Sequence, residues 1–150
     1  MTSSAPKTGT SAAGGTMHYS VGAIIQRGNK FLMLDRATDP PGWAGIAGHV
    51  DEGEEAIDAI LREVPEECGR AVVGTPRLLS AREMPNNPCS HGVDVHFWEL
   101  YEVEIEPGEV RLEEGKAKAQ GWFTAKELAV LELEPIWRTW LTMFEIIPAC

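Results

Sequence analysis

Apolar and polar positions alternate between two rhythms along this chain. From His18 to Gln26 apolar and β-branched residues run almost without a break. Arg27-Gly28-Asn29 supplies a tight turn, and Lys30 to Leu34 reads as the returning strand. Asp39-Pro40-Pro41-Gly42 predicts an irregular connection, and Trp43 to Ala47 is a short apolar piece. Residues 54 to 67 switch to a helical period, with Ile57, Ile60, Leu61, Val64 and Cys68 on one stripe that must face a core. Val72 to Glu83 and Val93 to Ile105 read as two longer strands, separated by the Met84-Pro85-Asn86-Asn87-Pro88 loop.

Beyond Pro107-Gly108, residues Glu109 to Gln120 are polar and predict a loop, with Trp122-Phe123 as a last short strand. Thr124-Ala125-Lys126-Glu127 is a capping box that opens a short helix. Glu134-Pro135 opens another, whose Trp137, Trp140, Leu141 and Phe144 recur at the spacing of a buried face. Strands and helices interleave, so the expected class is α/β, a mixed sheet with helices on both faces.

Composition narrows this further. At 150 residues, 43% of them hydrophobic, the chain is the size of one domain with a substantial core. Residues 1–16 are small or polar with one charge, Lys7, so they read as a flexible tail, with the domain over 17–150. The formal charge of −10 disfavours a nucleic-acid groove or an anionic membrane surface. Three cysteines without C-x-x-C spacing disfavour a disulfide framework or structural zinc, and a cytoplasmic setting is expected. Cys68, on the apolar stripe, should be an inert core thiol. His18 and His91 read as surface or edge positions, His49 as structural, and His96 as a strand residue of no assigned role.

The chemistry concentrates between Gly48 and Gly69. Asp51, Glu52, Glu54, Glu55, Asp58, Glu63, Glu66 and Glu67 lie there, eight of the 23 acidic residues, against one base, Arg62. On a helix Glu63, Glu66 and Glu67 stand at i, i+3 and i+4 and repel one another. A hard divalent cation such as Mg²⁺, which prefers carboxylate oxygens, reverses that sign. Pro65 removes a helical hydrogen bond and predicts a kink just before Glu66.

This segment resembles the signature of the Nudix hydrolase family, G-x5-E-x7-R-E-U-x-E-E-x-G-U with U a bulky aliphatic. Gly48, Glu54, Arg62, Glu63, Val64, Glu66, Glu67 and Gly69 occupy eight of its nine fixed positions. The ninth is Arg70, whose packing role should pass to Ala71 and Val72. The resemblance implies an α/β/α sandwich with a loop-helix-loop metal site that hydrolyses a nucleoside diphosphate linked to another moiety. By carry-over, Glu63, Glu66 and Glu67 would ligate Mg²⁺ or Mn²⁺, with a backbone carbonyl from Gly48. Arg62 would orient the carboxylates and Glu54 would support the loop. The general base stays open among Glu67, Glu113 and Glu114.

A weaker resemblance to the MutT-like branch, which hydrolyses nucleoside triphosphates, rests on Glu113, Lys116 and Trp122-Phe123. Lys116, Arg36 and Trp43 are the substrate candidates, Trp43 for stacking on a base. The expected partner is thus a small nucleotide, with no nucleic-acid polymer and no membrane, and the oligomeric state is left open between monomer and homodimer. The alternative is a Nudix-like module that binds a nucleotide as a sensor without turnover.

Overall fold

The computed structural model describes residues 5–36, 42–85 and 95–148. The expectations for Asp39-Pro40-Pro41, Asn86-Asn87-Pro88, Cys89, His91 and Cys150 lie outside them. In chain order the elements are β1 (Thr8–Thr10), β2 (Thr16–Arg27), β3 (Lys30–Arg36), β4 (Trp43–Ala44), β5 (Ile46–His49), α1 (Ala56–Cys68), β6 (Val72–Met84), β7 (Val95–Ile105), β8 (Ala117–Thr124), α2 (Ala125–Val130) and α3 (Pro135–Met143).

The sheet is mixed. Strand β2 pairs in parallel with β7, whose other edge takes β6 antiparallel. Antiparallel partners β1, β5 and β3 also lie along β2, and β3 continues to β4 and β8. The central strands are apolar on both sides because both sides are covered. Val21, Ala23, Ile25, Leu32, Leu34, Tyr101, Val103 and Ile105 pack with Ala59, Ile60, Val64 and Cys68 of α1. The alternate residues Ile24, Phe31, Met33, Trp98 and Leu100 pack with Leu128 of α2 and Trp137, Trp140 and Leu141 of α3. The strand period of two therefore sends successive side chains into two separate cores. Gly45 brings backbone against the second core: a β-carbon there would stand 2.5 Å from the Trp137 ring.

Four expectations need correction. The segment 1–16 is not all tail, because Thr8–Thr10 form β1 against Thr16–His18. Lys7 N donates to Val50 O at 2.7 Å, Glu52 N donates to Ala5 O at 2.9 Å, and the Lys7 ammonium lies 4.8 Å from the Tyr19 ring centre. Partners distant in sequence thus order a segment that has little apolar content of its own. Residues 117–120, read as loop, begin β8, since the β3 edge supplies a ladder from Lys30↔Thr124 to Arg36↔Ala117. Leu61 is 43% exposed and the stripe of α1 is completed by Ala59 instead. His18 is buried, not at the surface.

Removing residues 1–12 deletes β1 and both bridges to the 50–52 loop, at about 1 kcal/mol net for each hydrogen bond and with an entropic offset. The melting temperature should fall by roughly 3–8 °C, read by thermal unfolding of the truncated and full chains. Equal melting temperatures would show that β1 contributes no stability.

Candidate active site

Helix α1 carries the candidate ligands and is fixed at both ends. At its start Glu55 N donates to Asp58 Oδ2 at 3.3 Å, and at its end Gly69 takes the left-handed conformation, φ 70°, with its N–H on Pro65 O. The helix runs from Ala56 to Cys68 with Pro65 inside it. Cys68 is fully buried, and burial pushes its thiol up. Arg70 turns back along the surface, donating from Nη1 to Pro107 O at 3.1 Å. Val72 packs against the α1 core in its stead, whereas Ala71 is exposed.

Arg62 organises the carboxylates. Its Nε lies 2.9 Å from Glu54 Oε2 and its Nη2 3.0 Å from Glu54 Oε1, a two-pronged pair. Nη1 donates to Glu63 Oε1 at 2.7 Å and stands 3.6 Å from Glu66 Oε2. Nη2 also donates to His49 O at 3.1 Å and lies 3.5 Å from Asp51 Oδ2. Glu54 in turn accepts from Asp51 N at 3.0 Å, closing the 51–54 turn. The bond from Arg62 holds the Glu54 carboxyl below its usual range against the opposing effect of burial.

Glu63 and Glu67 face one another behind this fork. Burial pushes the Glu67 carboxyl well above the usual range, and its hydrogen bond to Glu63 and the Glu63 charge add to the shift. Burial raises Glu63 too, opposed by the bond from Glu67 and the charge of Arg62. The Oε2 of Glu67 is buried with no hydrogen-bond partner. A buried carboxylate oxygen without a donor, beside a second buried carboxylate and the half-exposed Glu66, is a donor set of the kind that hard divalent cations take.

Gly48 is the wall opposite. A β-carbon there would overlap the Glu63 carboxyl group, so the glycine is required by space and not by its φ.

The other candidates divide. Arg36 lies close enough to lower the Glu67 carboxyl by its charge; Nη1 stands 3.4 Å from Glu134 Oε2, and its buried Nε has no hydrogen-bond partner. The charge of half-buried Glu113 is also felt at Glu67. Glu114 and Lys116 are exposed on the turn that follows. Trp43 packs with the α3 core, edge-on to Phe123 at 5.2 Å. Sequence reasoning missed Asp51 and the His49 carbonyl as Arg62 partners. The signal for Asp51 was its place in the acidic run, but a carbonyl has no signature in sequence.

In Gly48→Ala the new methyl group should swing Glu63 aside while leaving both cores untouched. Affinity for Mn²⁺, read by electron paramagnetic resonance titration, should fall about 10–100-fold, with the melting temperature held within about 3 °C. Unchanged affinity would mean that Glu63 is not a ligand.

Comparison with known proteins bears on this arrangement. A family model for the NUDIX domain matches residues 16–145. Dihydroneopterin triphosphate diphosphatase of Escherichia coli K12 is 31% identical over 94 residues, which are 63% of this chain and 54% of that protein. The chain therefore spans about half the length of the curated relatives it matches. Among solved structures, a MutT NUDIX hydrolase from Burkholderia pseudomallei superposes with a TM-score of 0.71 at 27% identity, covering 82% of this chain and 94% of that one. The E. coli dihydroneopterin triphosphate pyrophosphohydrolase gives 0.62 at 25%, covering 84% and 93%. The NUDIX domain of Shewanella oneidensis NrtR, solved with ADP ribose, shares the fold with a TM-score of 0.71 at 15% identity, covering 89% of both chains. With the α/β sandwich, the Arg62-centred loop-helix-loop and the matched span in agreement, this chain belongs to the NUDIX family.

Proposed function

We propose that the protein is a divalent-cation-dependent pyrophosphohydrolase that cleaves the phosphoric anhydride of a nucleoside diphosphate linked to another moiety, a nucleoside triphosphate being the first choice. The observation that carries this reading is the buried, donor-free Glu67 oxygen beside Glu63 on an arginine-braced helix. Glu63, Glu66 and Glu67, with the Gly48 carbonyl, would hold Mg²⁺ or Mn²⁺. When bound, such an ion offsets charge at phosphorus and lowers the pKa of a coordinated water.

The chain's own groups supply the rest. Arg62 keeps Glu54 and Glu63 in place by three short contacts and stands 3.6 Å from Glu66, so the carboxylates are held before substrate arrives. Arg36 keeps donor capacity at Nε and would take a phosphate oxygen of the substrate. Glu113, whose charge reaches Glu67, is the preferred acceptor for the proton of the attacking water, with Glu67 as the alternative. Glu114 and Lys116 would act only if the exposed turn closes over a bound nucleotide. Trp43 has its ring committed to the α3 core, which supports a packing role over base stacking.

The substrate class is supported by the triphosphate named for the E. coli relatives. A small nucleotide, not a polymer, also suits a formal charge of −10. No helix among the described residues is long and apolar enough to cross a membrane; three cysteines without C-x-x-C spacing support a cytoplasmic setting.

The test is a panel of nucleoside triphosphates, pterin triphosphates and nucleoside diphosphate conjugates, with products identified to locate the cleaved phosphorus. Turnover should require Mg²⁺ or Mn²⁺ and stop with EDTA. Glu67→Gln and Glu66→Gln should each lower kcat by about 10²–10⁴-fold while the melting temperature holds or rises, since a like charge leaves a crowded cluster. Wild-type rates in both variants would sink the assignment. Tight nucleotide binding without turnover on any substrate would instead make the protein a sensor.

A further inference from the structure

Three histidines converge on the side of the sheet away from α1. The register fixes their meeting: His18 of β2 lies beside His96 of β7, and Ser20, two residues along β2, lies opposite His49 of β5. Residues two apart share a face, so the three imidazoles stand together. That face is the one whose next residues, Ala47 and Trp98, pack with Trp140 of α3. Gly48, one residue before His49, faces Glu63 and α1 on the opposite side. The trio is therefore a separate constellation and shares no side chain with the carboxylate site.

Its geometry is that of a ligand set. One nitrogen of each ring lies within 4.8 Å of the other two. The ring centres are 5.1 Å apart for His18 and His49, 5.8 Å for His18 and His96, and 5.6 Å for His49 and His96. Three imidazoles on a tetrahedral Zn²⁺, with bonds of about 2.0–2.1 Å, have donor nitrogens about 3.4 Å apart and ring centres about 5 Å apart. The triangle already has nearly that size, and contraction of about an ångström by side-chain rotation completes it. His18 and His96 are buried and His49 is half-buried, so His49 is the member nearest solvent, and a water would complete the coordination. Three strands, not three loop residues, supply the ligands, so their backbones are held in ladders before any ion arrives.

We propose that His18, His49 and His96 form a Zn²⁺ site of the three-histidine type, distinct from the carboxylate centre. Imidazole donors select zinc and related transition ions over Mg²⁺, so the two sites take different metals. An ion here would staple β5 to β2 and β7 just where the chain leaves the strand that carries Gly48. The ring of His49 would bind on one side while its carbonyl accepts from Arg62.

The experiment uses the full chain without an affinity tag, titrated with Zn²⁺ in the presence of excess Mg²⁺. One Zn²⁺ per chain should be retained after desalting, and the melting temperature should rise by about 5 °C. X-ray absorption at the zinc edge should show nitrogen neighbours at about 2.0 Å with the scattering pattern of imidazole. The Glu66→Gln/Glu67→Gln double variant should retain the ion, whereas His49→Gln should weaken Zn²⁺ affinity about 100-fold or more. His49→Gln is the first choice because its ring is the least buried of the three; His18→Gln should repeat the loss. A zinc spectrum without imidazole scattering, no retained zinc, or unchanged affinity in His49→Gln would overturn the site.

Discussion

The guanidinium of Arg62 is the constraint on which the candidate site depends. Five acceptor groups from two segments converge on it: Glu54, Glu63, Glu66, Asp51 and the His49 carbonyl. The acids gathered there repel one another, and a planar cation with a fixed fork of donors holds them at set angles as an ammonium does not. The loop over 49–54 and the middle of α1 are thereby joined into one body. Glu63 is aimed by that body, and Glu67, on the next turn, is left to burial and to Glu63 alone.

The sheet gives this body its backing. Because β2, β3 and β7 alternate side chains between two apolar layers, helix α1 rests on one layer while the tryptophans of α3 fill the other. Strand β5 uses the same alternation for chemistry. Gly48 leaves room for Glu63 on one side, and His49 turns its ring to the other. Two constellations of different donor chemistry thus stand back to back across one strand.

How much of this was legible in the sequence depends on how local the cause is. Helix α1 was readable because an apolar period, an acidic cluster and the glycines at 48, 53 and 69 coincide over one short segment. The Thr124–Glu127 capping box was readable for the same reason, and both of its bonds are present, at 2.8 and 3.2 Å. Strand β8 was not, since Ala117-Lys118-Ala119-Gln120-Gly121 has no strand preference and is ordered by the edge of β3. Strand β1 hid for a similar reason. The three histidines show the limit most clearly. The side of the strand each occupies follows from period-two counting, but the alignment of His18 with His96 is a tertiary fact that no spacing along the chain encodes.

That parallel ladder between β2 and β7 also governs the order of assembly. It aligns Met17 with Val95 and Ile25 with Val103, partners 78 positions apart in the chain. The β2–β3 hairpin can close early, because its turn spans two residues, and α1 is local as well. The long ladder must wait for the intervening chain to collapse, and pairings of high contact order are slow to nucleate. Gly48 and Glu63 reach each other through local structure, whereas His96 joins His18 only when this long-range ladder has formed.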